Sequence, residues 1–121
     1  MILVAVDDFL FRSKIRTTGK QAGVELTFPK TPEETIEQAR SLKPSLVVFD
    51  LNSAVMDPIG TIAKMKQDPD LQSIRTLGFV SHVDTTRIQA ARAAGADEVL
   101  ARSAFATQLA DILLAHAAER S

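Results

Sequence analysis

Three carboxylates, a hydroxyl and a guanidinium stand where apolar runs stop, and they carry the chemistry this chain advertises. Asp7 and Asp8 close "ILVAV" (2–6), and Asp50 closes "SLVVF" (45–49). An isolated ionised carboxylate is costly to bury, so one that ends such a run must be neutralised, paired or set at an opening. Acids that share a crevice also repel, and either a hard divalent cation or a phosphate-pairing Lys or Arg relieves them. Ser81 ends "RTLGFV" (75–80) and Arg102 follows "EVLA" (98–101). A hydroxyl and a cation beside three acids suit an anion bound next to a metal. Each residue also has a plainer reading. Asp8 and Asp50 could be helix N-caps, and Arg102 could be a surface residue whose stem lies over a sheet edge.

For these groups to meet, the apolar runs must be strands of one sheet. With "VELTF" (24–28) there are five such runs, and helix-like segments separate them. Phe11, Ile15, Thr18 and Ala22 recur at helical spacing, as do Ile36, Ala39 and Leu42. The pattern repeats with Ile59, Ile62 and Met65, with Ile88, Ala91 and Ala94, and with Phe105, Leu109, Ile112 and Leu113. "TPEE" offers Thr31 as an N-cap, Pro32 at the first helical position and Glu34 reaching back. Gly23 and Gly95 stand where helices should stop. Strict βα alternation implies an α/β fold, a doubly wound five-stranded parallel sheet with five helices. In the common strand order 2-1-3-4-5, strands one and three flank the reversal beyond whose carboxyl ends ligands bind. Asp7, Asp8 and Asp50 then converge.

At 121 residues the chain is expected to be a single domain, 1–121, large enough for a core without staples. It has no cysteine, which excludes disulfides and thiolate metal sites. The first apolar run meets Asp7 too soon for a secretory signal or a membrane span, so a cytoplasmic location and no membrane partner are expected. Fourteen Lys and Arg against fifteen Asp and Glu, with no Trp or Tyr, leave no basic footprint or stacking platform for direct nucleic-acid binding. Arg12, Arg16 and Lys20 form an i, i+4, i+8 stripe on the first helix, ordinarily a solvated face. His82 is read as a solvent-exposed side chain, and His116 as an imidazole suited to a helix C-terminus.

The stretches "VDD" (6–8), "VVFDLN" (47–52), "MDP" (56–58), "VS" (80–81) and "ARAAGADEVLAR" (91–102), taken in order, resemble the receiver domain of two-component response regulators, a CheY-like, flavodoxin-type fold. The resemblance covers essentially the whole chain. It implies a phosphoacceptor at Asp50 and Mg²⁺ held by Asp8, Asp50 and the backbone carbonyl of Asn52, with Asp7 reaching the metal through water. It further implies that Ser81 contacts the phosphoryl group and that Arg102 stands at the family's Lys position. A histidine kinase or phosphotransfer protein would be the phosphoryl source, for which the first helix is the docking face the resemblance implies, and output would pass through another protein. The chain would then be no enzyme beyond accepting and slowly losing a phosphoryl group. Three positions depart from the family. Arg102 and Ser103 replace Lys and Pro, Val99 occupies the place of an aromatic switch residue, and His82 follows Ser81 where a small residue is usual. An Arg at 102 is long enough to pair with Asp50 before any phosphorylation. The alternative these departures favour is a pseudo-receiver, a binding module that works without phosphorylation.

Overall fold

A computed structural model describes residues 1–81 and 84–117. Strands β1 (Ile2–Ala5), β2 (Leu26–Thr27), β3 (Leu46–Asp50), β4 (Arg75–Val80) and β5 (Glu98–Ala101) alternate with helices α1 (Phe9–Ala22), α2 (Pro32–Leu42), α3 (Pro58–Gln67), α4 (Thr85–Ala94) and α5 (Arg102–Ala117). The strands are all parallel in the order β2-β1-β3-β4-β5, as expected. Because side chains alternate across a strand, each apolar run feeds two cores. Ile2, Val4, Leu46, Val48, Leu77 and Phe79 pack under α1 and α5, while Leu3, Ala5, Val47, Phe49 and Val80 pack under the other helices. Phe11, Phe79 and Phe105 form a ring cluster in the first layer, with Phe79 and Phe105 stacked at 4.9 Å and Phe11 edge-on to Phe79 at 5.1 Å.

Three strands differ from their expected spans, β1 only in stopping at Ala5, one residue short of Val6. "VELTF" yields only a two-residue β2, because the Val24 N–H is taken by the Gly19 carbonyl at the end of α1, and Pro29 has no N–H to extend the ladder. At its other end β3 runs one residue further than its apolar stretch, so that Asp50 is itself a strand residue opposite Phe79. The helix ends follow the expected punctuation. Thr31 Oγ1 accepts from the Glu34 N–H, and Gly23 and Gly95 close α1 and α4 in left-handed conformation. Glu34 reaches back to the Lys30 N–H, one residue before the usual capping-box partner. Close to the carboxyl edge, Gly78 leaves β4 open to Leu51, whose side chain lies within 2.9 Å of where a Cβ would stand.

Candidate functional site

Asp50 is the deepest group of the crevice, 6% exposed and last in the central strand β3. Its Oδ1 accepts the Asn52 N–H at 2.9 Å, so it caps the turn that follows β3 rather than a helix. The helix further along, α3, is preceded by Asp57, which makes no side-chain cap bond. Burial raises the Asp50 pKa above the ordinary carboxylate value. The Asn52 N–H and Arg102 oppose that rise, and the neighbouring charges of Asp7 and Asp8 add to it. The carboxylates from β1 and β3 therefore do act on one another across the strand-order reversal.

Asp8 engages both of its oxygens within the chain. As N-cap of α1 it accepts the Phe11 N–H at 3.1 Å, and its other oxygen accepts from Arg102 Nη2 at 3.1 Å. The Phe11 amide is the largest single cause that holds its pKa below the ordinary value; burial opposes it, and Arg102 adds to the lowering by hydrogen bond and by charge. Asp7 is exposed beside it.

Arg102 is the first residue of α5, directly after β5. Its guanidinium lies 4.3 Å from the centre of the Phe11 ring while it reaches Asp8. The expected pair with Asp50 is not what forms: stacking on Phe11 turns the planar fork toward Asp8, and Arg102 acts on Asp50 only through its field. A side chain half-sheltered on an aromatic ring and ion-paired is also no free surface residue.

Ser81 and Asn52 are joined, since the Ser81 N–H donates to Asn52 Oδ1 at 2.8 Å. Both are exposed at the crevice rim. Val99 is half-buried against the second core and offers no ring to change rotamer. His82 lies outside the described residues.

One residue of the rim was not singled out in the sequence. Arg87, in the first turn of α4, donates from Nη1 to the Leu51 carbonyl at 2.8 Å and pairs through Nε with Asp84, the α4 N-cap. The Asp84–Arg87 spacing is a legible i, i+3 pair. Its reach to β3 is a tertiary contact that no local spacing announces.

Asp8, Asp50 and the Asn52 carbonyl make an oxygen-only donor set of the kind hard divalent cations use. Two acids raising the pKa of a third, buried one is the electrostatic condition a cation relieves. Among the described residues no three His, Cys, Asp or Glu side chains are already arranged as a metal cage, and Asp8 would have to share or release Arg102 to serve as a ligand. The residues fit a cation in type and charge.

No protein-family model matches the chain. A response regulator protein, VraR of Staphylococcus aureus, is 27% identical over 112 residues, 92% of this chain and 49% of that protein. The chain thus spans about half the length of the curated relatives it matches. Among solved structures, the phosphorylated cyanobacterial phytochrome response regulator RcpA superposes with a TM-score of 0.77 at 21% identity, over 94% of this chain and 88% of that one. The Mn²⁺-bound form of response regulator Rcp1 gives 0.77 at 16% identity, over 99% and 96%. The fold is that of response regulator receiver domains. No helix among the described residues is long and apolar enough to cross a membrane.

Proposed function

We propose that the chain is a two-component receiver module that accepts a phosphoryl group on Asp50 from a histidine kinase or phosphotransfer protein and signals by protein–protein contact. The observation that carries this reading is Asp50 itself, a carboxylate buried at the end of the central strand and pressed by two more acids at the strand-order reversal. Burial leaves it more basic, and so more nucleophilic, than an exposed carboxylate. With Oδ1 held by the Asn52 N–H, Oδ2 is the oxygen to attack phosphorus. The O–P bond forms as the donor's P–N bond, or the P–O bond of an acyl phosphate, breaks. The bonding pair leaves with the imidazole or carboxylate, and the imidazole gains a proton. Mg²⁺, held by Asp8, Asp50 and the Asn52 carbonyl with Asp7 behind, would supply positive charge to the phosphoryl oxygens. Ser81 and Arg102 are the residues we assign to contact those oxygens. The acceptance of Mn²⁺ by Rcp1 and of a phosphoryl group by RcpA supports extending both to a chain of the same fold.

A second reading is a receiver fold that binds its partner without phosphorylation. The engagement of Asp8 by Arg102 and Phe11 favours it, because a metal must compete for that carboxylate. Intact-mass measurement after incubation with Mg²⁺ and acetyl phosphate separates the two. The first predicts one added phosphoryl group, lost in Asp50→Asn; an unmodified mass at saturating donor leaves the second.

A further inference from the structure

Away from the acidic crevice, α1 and the edge strand β2 form an open groove of about 620 Å³. This volume lies inside the roughly 300–1,000 Å³ range of small-molecule sites. Arg12, Arg16 and Lys20 line one wall and Lys30 closes the groove from the segment before α2. Three successive turns of α1 thus deliver a row of cations about 12 Å long. No carboxylate lines the groove, and among the described residues none of the four cations makes an ion pair. Two of them are held in place: the Arg16 and Arg12 guanidiniums lie 4.5 and 5.5 Å from the centre of the Phe28 ring. A stacked, planar fork loses little freedom when it binds an anion. Val24 and Leu26 supply an apolar floor beside the cations.

Cations on the wall and aliphatic side chains on the floor match a ligand with several negative charges at one end and an uncharged body at the other. We propose that this groove binds a small organic polyphosphate of the nucleoside di- or triphosphate class, independently of Asp50. A flat basic face would suit an acidic protein equally; cations and aliphatic side chains lining one concavity favour the small anion.

Calorimetric titration at low ionic strength, without divalent metal, tests this with ATP, AMP and pyrophosphate as probes. ATP is expected to bind saturably and more tightly than AMP or pyrophosphate, since only ATP offers both the charge and the body. Arg16→Gln/Lys20→Gln should weaken ATP roughly tenfold or more, as each charged hydrogen bond lost costs at least that factor in a favourable case. Asp50→Asn should titrate like the parent, which keeps this outcome separate from that of phosphorylation. Arg16 and Lys20 are exposed and Asp50 is buried, so far-UV circular dichroism checks that each variant is folded. No saturable ATP binding, binding untouched by the double variant, or binding lost in Asp50→Asn would overturn the proposal. Tighter binding of polyglutamate or of a single-stranded oligonucleotide than of ATP would overturn it in favour of a macromolecular acidic partner.

Discussion

Replacing Arg102 by Ala should lower stability and raise affinity for a divalent metal at the same time. The stability loss has two sources. The Arg102–Asp8 pair joins side chains that are 34% and 36% exposed, so solvent screening holds it to roughly 0.5 kcal/mol. The stack on Phe11 at 4.3 Å adds roughly 0.5–1 kcal/mol. Together they amount to about 1–1.5 kcal/mol, or roughly 3–6 °C in Tm for a domain of this size. The Phe11 N–H bond to Asp8 survives the substitution, so the α1 cap should remain. Metal affinity moves the other way, because a cation no longer competes with the guanidinium for Asp8: the 0.5 kcal/mol released corresponds to roughly a twofold gain. Arg102→Lys separates charge from shape, keeping the former while losing the planar stack. It should also enlarge the spectroscopic difference between phosphorylated and free forms, as a rotatable ammonium is less committed to Asp8. Urea unfolding of the parent, Asp8→Asn, Arg102→Ala and the double variant, followed by far-UV circular dichroism, gives the coupling directly, and calorimetric Mg²⁺ or Mn²⁺ titration gives the affinity. A coupling indistinguishable from zero, or stability and metal affinity falling together in Arg102→Ala, would refute this account.

In metal-free buffer, Asp50→Asn should stabilise the fold at neutral pH by on the order of 1 kcal/mol. The Asp50 pKa is raised in the folded state, chiefly by burial, so its ionised form costs stability above that pKa and nothing below the unfolded value of 3.8. The gain should therefore shrink as pH falls; a gain that persists unchanged at pH 3 would contradict it. Lys66→Met removes donors from the Gln72 and Ile74 carbonyls and from Asp97, and should cost about 2 kcal/mol. Partial desolvation pushes the Asp97 pKa up, but Lys66 and Thr76 together hold it below its ordinary value, so its contribution is present above 3.8 and lost as pH falls. The Lys66→Met deficit should accordingly be smaller in acid, as urea midpoints at pH 7 and pH 3 will show. Arg87→Gln should cut the tie to the Leu51 carbonyl at about 1 kcal/mol. Amide hydrogen exchange in α4 should quicken while β1 and β3 stay protected, and uniform acceleration across the sheet would count against a local tether.

The strand order and the meeting of Asp7, Asp8 and Asp50 were legible because they depend on coarse features. Apolar runs alternate with helical periods, and parallel crossovers leave few topologies. The errors arose where the backbone's own bonds intervene. Val24 reads as a strand residue by type, yet its N–H is taken to close α1, so β2 shrinks to two residues. Asp8 caps α1 and also pairs with Arg102, because a carboxylate has two oxygens and the helix amide needs only one. The resemblance points to the Asn52 carbonyl, whereas in the structure its side chain links the turn after β3 to Ser81. Side-chain amides can face either way after a strand, and nothing in "DLN" says which.

The departure at position 102 makes physical sense only with Phe11 in view. Lys at this place could address Asp50 as a point charge, whereas Arg finds an aromatic face one helical turn beyond Asp8 and settles between the ring and that carboxylate. The charge balance of the crevice shifts as a result. Asp8 is partly neutralised from within the chain, and Asp50 keeps the raised pKa that burial and the remaining acids impose. On the opposite rim Arg87 ties α4 to the Leu51 carbonyl, immediately after Asp50. Two arginines from two helices thus bracket the acidic strand end, one through a carboxylate and one through a backbone oxygen. With Val99 offering no ring to turn, any rearrangement that follows a charge change at Asp50 must be transmitted by contacts such as these.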